Sequence, residues 1–187
     1  MPGWYWSATT GGHLVYESRL ELARLLLADF DPDVVGIAAQ PLLVHDVDRR
    51  HVPDFLLCRA DTSVVIVNVK PAEQLEVKRV AEALAWAGSV FAERGWEHEV
   101  WSGTDAQLLA NVRFLAGYRR AALIAPVEIA AFWPPGTVLT IAGAEATLGD
   151  VGVVDPRVVV LGLLWSGRLR ADLRRPLRSD SDLEVLW

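Results

Sequence analysis

Two runs of apolar and β-branched residues facing each other across a turn constrain this chain more than any other feature. Val52 to Cys58 and Ser63 to Val69 have strand composition, and Ala60-Asp61-Thr62 between them suits a hairpin. Alternation along the second run puts Val64, Ile66, Asn68 and Lys70 on one face and Val65, Val67 and Val69 on the other. Two polar groups therefore end an otherwise apolar face. A turn centred on Asp61 sets position 54 opposite position 68, with directly opposed side chains ~5 Å apart at Cβ, so Asp54, Asn68 and Lys70 are expected to cluster.

The flanking segments complete an α/β outline. Tyr16, Leu20, Ala23, Leu27 and Phe30 recur at helical spacing, which predicts a first helix over Glu17 to Asp29, and Pro32 bars its continuation. Glu21 lies on this helix, one residue past Leu20, where it can border the core and reach the cluster. Leu42 to Val47 is a further strand run, separated from the next by Asp48-Arg49-Arg50, so a three-stranded meander is expected. A long helix is expected from Ala72 to Arg94, stopping near Gly95, then a short strand from His98 to Trp101 and a helix capped by Asp105 and running to Tyr118. The opening Gly3 to Gly12, with Trp4, Tyr5 and Trp6 together, reads as an irregular arm against the core.

After Arg120 the texture changes to short apolar segments among Pro126, Pro134, Pro135 and Gly136, which suggests a larger domain over residues 1–120 and a small one over 121–187. Asp155-Pro156 opens a helix from Arg157 to Trp165 that ends at Gly167. The remainder, Arg168 to Trp187, could form a small two-stranded hairpin around Pro176 to Asp182, and helix plus hairpin is the outline of a winged helix. In this tail Arg168, Arg170, Arg174, Arg175 and Arg178 crowd together, and an arginine-rich wing could grip DNA phosphates; a solvated charge run is the alternative.

Composition narrows the function. A net charge of −6 argues against a protein that coats nucleic acid through many phosphate contacts, so any DNA contact must be local. Of the 18 basic residues only Lys70 and Lys78 are lysines, which makes Lys70 at the end of the strand conspicuous in an arginine-biased chain. The single Cys58 can make neither an internal disulfide nor a thiolate zinc cage, and a reducing, cytoplasmic setting is the expectation. No secretory leader is expected, since the first charged residue is Glu17, and the longest apolar run, Val158 to Trp165, falls far short of the roughly 20 residues a bilayer demands. Neither a phosphate-binding glycine loop with lysine nor Gly-x-Ser-x-Gly is present. His45 and His51, six residues apart, fit no zinc pattern and are expected to face solvent or substrate; His13 and His98 are expected to be structural.

What remains is a hard-oxygen set beside a lysine. Asp54 and Glu21 suit Mg²⁺ or Mn²⁺, Asn68 can add an amide oxygen, and Lys70 can orient a water and offset charge on a phosphate under attack. That set is the expected catalytic site, with Glu21, Asp54 and Asn68 as metal ligands. By spacing alone, an α/β domain with polar residues at its strand ends stays open.

Tyr16-Glu17-Ser18-Arg19-Leu20-Glu21-Leu22, Phe30-Asp31-Pro32-Asp33-Val34, Gln40-Pro41, His51-Val52-Pro53-Asp54-Phe55-Leu56 and Asn68-Val69-Lys70-Pro71 occur in this order. Together they resemble the TnsA-like endonuclease subunits of heteromeric transposases, within the PD-(D/E)xK superfamily, over roughly residues 13 to 120. The resemblance implies a restriction-endonuclease-like core, a central mixed sheet flanked by helices, followed by a small C-terminal winged-helix-like domain. It implies metal-dependent cutting of double-stranded DNA beside an RNase-H-like transposase subunit, with a homodimer also open to the chain. The family's metal site falls here on Glu21, Asp54, Asn68 and Lys70, with Glu17, one turn earlier, rejected. Asn68 departs from the superfamily's usual Asp or Glu, which keeps a catalytically silent docking module as an alternative, alongside a stand-alone defence or repair nuclease.

Overall fold

A computed structural model describes residues 2–120 and 132–186; Pro126, invoked above at the domain break, lies outside them. The chain divides into two compact units, 1–103 and 104–187. The expected break near residue 120 thus falls inside the second unit, because the helix that follows Asp105 packs with the C-terminal helices.

The first unit is a mixed α/β fold. It opens with a hairpin of β1 (Gly3–Ser7) and β2 (Gly12–Tyr16), antiparallel from Gly3 opposite Tyr16 to Ser7 opposite Gly12. The segment expected as an irregular arm is instead one strand of this regular hairpin. Tyr5 and Ser7 point inward while Trp4 stays 71% exposed, and Gly11 takes a φ of +64° in the turn, which only glycine adopts without strain. What holds the hairpin is Asp29: its buried carboxylate accepts from Tyr5 Oη and Ser7 Oγ, both at 2.6 Å, and from the amides of Ala8 and Thr9 at 3.1 and 2.8 Å.

Asp29 belongs to α1 (Arg19–Phe30), whose N-cap is Ser18, with its Oγ accepting from the Glu21 amide at 3.0 Å. A strand that the sequence reading missed follows, β3 (Val34–Ala39). The segment read as the first meander strand is only a small separate hairpin, β4 (Val44–His45) with β5 (Arg50–His51). Its turn is closed by Asp46, which accepts from the Arg49 amide and pairs with the Arg49 guanidinium. The main sheet is completed by β6 (Phe55–Arg59), β7 (Val64–Val69) and β8 (Glu97–Trp101) in the order β3-β6-β7-β8. The first two pairings are antiparallel and β7 with β8 is parallel, so the sheet is mixed.

The register agrees with a turn centred on Asp61: Phe55 faces Val67, Leu56 faces Ile66, Leu57 faces Val65 and Cys58 faces Val64. Both faces of β7 are covered. Ile66 packs with Ala87 and Phe91 of α3 (Lys78–Ala92). The expected single helix from Ala72 is in fact α2 (Ala72–Leu75) and then α3, interrupted at Glu76 and Val77. Gly95, at φ +72°, ends the helical stretch where the sequence places the stop.

The second unit begins with α4 (Ala106–Leu115), capped by Asp105 Oδ1 accepting from the Leu108 amide at 2.8 Å. Two elements that the sequence reading lacked follow the undescribed segment: β9 (Val138–Thr140) and α5 (Ile141–Asp150). Then come α6 (Pro156–Trp165), with proline in its first turn as expected, β10 (Leu169–Arg170) and β11 (Asp182–Val185). Strand order is β10-β11-β9, all antiparallel: the two-stranded hairpin expected within Arg168 to Trp187 is present as β10 with β11, residues 176–181 lie in its loop, and β9 adds a third strand. Val160 to Trp165 of α6 are all buried, and Asn111 of α4 donates from Nδ2 to the carbonyls of Leu173 and Arg175, tying this loop to the helix.

Candidate active site

Asp54 sits where β6 begins. Its amide donates to the Val67 carbonyl at 3.1 Å, and its carbonyl accepts from the Gln40 amide at 2.9 Å, so the backbone is fixed from both neighbouring strands. The side chain is half-buried. Oδ2 accepts from the Val69 amide at 2.7 Å and lies 3.9 Å from Lys70 Nζ, while no hydrogen bond reaches Oδ1 among the described residues. Lys70 is anchored in turn by its amide, which donates to the Trp101 carbonyl at 2.9 Å on the parallel strand. The expected pairing of Asp54 with Lys70 is therefore present. A carboxylate with one open oxygen beside an ammonium can hold a hard cation and a phosphate oxygen together.

Glu21 is half-buried in the first turn of α1. Its Oε2 accepts from the Glu17 amide at 2.7 Å, a variant of the capping box in which the side chain reaches one residue beyond the N-cap. Glu17, the rejected candidate, is exposed and accepts from Gln40 Nε2 at 2.8 Å. Because the Gln40 amide also donates to the Asp54 carbonyl, a chain of hydrogen bonds runs from Glu21 through Glu17 and Gln40 to the Asp54 backbone. Gln40 holds a φ of +46°, an uncommon conformation for a residue with a side chain.

Asn68 behaves differently from its neighbours. It is fully buried, and its amide lies between two imidazoles: Oδ1 is 3.0 Å from His98 Nε2 and 3.1 Å from His51 Nε2, and Nδ2 is 2.9 Å from His51 Nε2. His51 thus turns inward from β5 instead of facing solvent. His98 packs edge-on against Phe91, ring centroids 5.4 Å apart, and stands so close to α3 that a Cβ at Gly88 would fall 2.7 Å from its Nδ1. Burial, and then the neighbouring His51 charge, hold the His98 imidazole below its ordinary pKa of 6.5. Neither histidine was assigned to the site from the sequence. His51 has a signal, three residues ahead of Asp54, but the register that delivers His98 across a parallel pair leaves none.

Among the described residues no three of His, Cys, Asp and Glu converge as a metal-holding group. The donors expected for a hard cation are thus one open Asp54 oxygen, the Glu21 carboxylate with one oxygen occupied by the cap, and an Asn68 oxygen shared with two histidines. Their oxygen chemistry fits Mg²⁺ or Mn²⁺. A second ion pair braces this end of the sheet, Arg24 of α1 gripping Glu99 of β8 through two bonds of 3.0 and 2.7 Å.

In the second unit Arg168, Arg170, Arg174, Arg175 and Arg178 are all exposed. Pairing of the strands brings acids among them. Arg170 pairs with Glu184 across β10 and β11, Arg175 lies 3.3 Å from Asp172, and Asp180 and Asp182 share a surface depression with Arg175 and Arg178. Arg168, Arg174 and Arg178 carry no ion pair among the described residues. No helix among the described residues is long and apolar enough to cross a membrane.

Residues 31–103 match the family model described as TnsA-like endonuclease N terminal. That match spans Asp54, Asn68 and Lys70 and both histidines, and stops short of Glu21. No curated protein matches the chain.

Proposed function

We propose that this chain, assigned to the TnsA-like endonuclease family through residues 31–103, is a metal-dependent DNA endonuclease, the cutting subunit of a transposition or related mobile-element system. The observation that carries the reading is Asp54, with an oxygen left open beside Lys70 while its other oxygen is pinned by the Val69 amide.

In this reading Asp54 and Glu21 supply carboxylate oxygens to Mg²⁺ or Mn²⁺, and Asn68 supplies its amide oxygen. The ion, when bound, polarises the phosphoryl group and lowers the pKa of a bound water. Lys70 Nζ, held 3.9 Å from Asp54, orients the attacking water and offsets charge on the phosphate oxygens. Glu21 must release the Glu17 amide to contribute both oxygens. The C-terminal unit, with α6 followed by the β10–β11 pair and its loop, is read as winged-helix-like, and Arg168, Arg174 and Arg178 as its phosphate contacts, with Arg170 and Arg175 secondary because acids already hold them. Double-stranded DNA and an RNase-H-like transposase subunit are the partners this reading requires, in the cytoplasm; a homodimer fits it equally.

A second reading has its own support. The amide at position 68, held by two histidines, stands where a carboxylate would bind a cation more strongly, and this favours a silent module that docks to a transposase or to DNA. Supercoiled plasmid incubated with Mg²⁺ or Mn²⁺ separates the two. Nicked or linear product that disappears in Asp54→Asn is expected; the absence of product with either ion, alone and with a partner transposase, overturns the nuclease reading in favour of the second.

A further inference from the structure

We infer that the cleft between the β4–β5 hairpin and α3 receives the sugar-phosphate backbone of the DNA strand that runs to the Asp54 site, with Arg50 and Arg79 as its phosphate contacts.

α3 carries two faces of the same periodicity. Leu84, Ala87 and Phe91 are buried, the last two against Ile66 of β7. Arg79, Glu82 and Trp86 repeat that spacing on another face and, with Asp48, Arg49 and Arg50 of the hairpin, line a cleft of about 930 Å³. The walls are held by side chains that are already engaged. Arg49 donates from Nε and Nη2 to Asp46 Oδ2 at 2.9 and 2.6 Å, and its guanidinium lies 4.6 Å from the centroid of the Trp86 ring. This cation–π contact ties the hairpin turn to the helix. Below it Val44 packs with Ala87 and Phe91, in a cluster that Trp86 flanks.

The charge of the cleft comes from side chains that are not engaged. Arg24, Arg49 and Arg59 of this unit each pair with an acid. Arg50 and Arg79 are exposed, and neither has an ion pair or a side-chain hydrogen bond among the described residues. Of the two acids in the lining, Glu82 lies 3.8 Å from Lys78, which leaves Asp48 against two uncommitted guanidinium groups. A chain of net charge −6 repels DNA at large and can hold it only where cations are free. The planar fork of arginine matches a phosphate group, and a groove of free cations suits a backbone where an enclosed apolar pocket suits a small molecule.

The cleft is continuous with the site. Arg50 and His51 are neighbours on β5, so their side chains leave the strand on opposite sides. His51 turns in, to within 3.1 Å of Asn68 Oδ1, and Arg50 turns to the cleft. A phosphate held by Arg50 therefore lies one residue away from the Asn68 end of the site. Taking the strand in the cleft as the one that is cut rests on the nuclease reading; the phosphate contacts do not.

Anisotropy of a fluorescent duplex titrated with the full chain in EDTA, over a range of salt, reads binding without cutting. Arg50→Ala and Arg79→Ala are each expected to lower the slope of log affinity against log salt by about one unit, and the double variant by about two, with native Tm. Arg50→Lys and Arg79→Lys, which keep the charge, are expected to restore the slope. Arg59→Ala, whose guanidinium Glu97 already holds, is expected to leave it nearly unchanged. The inference is overturned by native slopes in the alanine variants, by a loss that lysine does not restore, by an equal loss at Arg59, or by a native chain that binds no duplex at low salt. Plasmid incubated with Mn²⁺ tests the other reading separately. Lowered slopes with plasmid left intact by the native chain defeat the nuclease and keep the phosphate contacts; unchanged slopes with plasmid cut keep the nuclease and defeat the cleft.

Discussion

Asp29 and Asp54 are two aspartates of the same unit with opposite settings. Asp29 is buried at the end of α1, and both its oxygens are taken up by two hydroxyls and two amides of the N-terminal hairpin. Asp54 is half-buried at a strand end, with one oxygen engaged and the other open beside a lysine. The difference teaches how to tell a carboxylate that builds from one that acts: the first has spent every lone pair inside the protein, and the second keeps a whole oxygen open.

The sharpest way to break that comparison is to neutralise each side chain while keeping its shape. Asp54→Asn preserves an acceptor for the Val69 amide, so plasmid cutting is expected to fall about 1,000-fold, near 4 kcal/mol in the barrier, with a melting temperature close to native. Cutting at the native rate would place Asp54 with Asp29. Asp29→Ala should do the reverse. It removes the acceptor shared by Tyr5, Ser7 and two amides, which costs about 3 kcal/mol or more and lowers Tm by roughly 6–12 °C, measured by calorimetry, while any folded fraction cuts normally. A variant as stable as the native chain would show that the hairpin is held by packing alone.

Glu21 falls between the two, since one oxygen caps the helix and the other is open. Glu21→Gln keeps an acceptor for the Glu17 amide and removes only the charge. Cutting should fall at least about 10-fold with stability unchanged, whereas Glu17→Ala, which frees the Gln40 amide group, should cost less than a factor of about 3. Equal losses would move the helix-borne ligand from Glu21 to Glu17. The smallest effect is expected in the second unit, where the same distinction applies to arginines. Arg174→Ala should lower the slope of log affinity for DNA against log salt by about one unit, and Arg175→Ala by less, because Asp172 already holds it. Identical slopes for both variants and the native chain would assign the patch to protein contacts.

Much of the site-bearing hairpin was legible because its turn is local. Ala60-Asp61-Thr62 marks the centre, and counting outward from Asp61 gives the observed register and the meeting of Asp54 with Lys70. β3 was only faintly legible: Val34, Val35 and Ile37 are β-branched, but Gly36, Ala38 and Ala39 break up the run, and the strand is set by its pairing with β6. The break between α2 and α3 lacks a glycine or proline to announce it. Alternation in Trp4-Tyr5-Trp6-Ser7 was present but masked by the aromatic cluster, and its decisive partner, Asp29, lies more than twenty residues away. The pattern that hid Asn68's setting is of the same kind. Alternation gives its face correctly, yet what fills that face comes from a two-residue hairpin and from a parallel strand reached only after α3. The unit boundary was placed by proline content near residue 120, whereas the association of α4 with α6 that moves it depends on tertiary packing.

The tight approach of Gly88 to His98 couples two positions that share no bond and no chemistry. As long as the ring keeps its place, the helix position is closed even to alanine. A drifting lineage can open it only by first shrinking or losing the ring. Position 88 is therefore a silent veto over which residues position 98 can hold, and substitutions at the two are expected to arrive together or not at all.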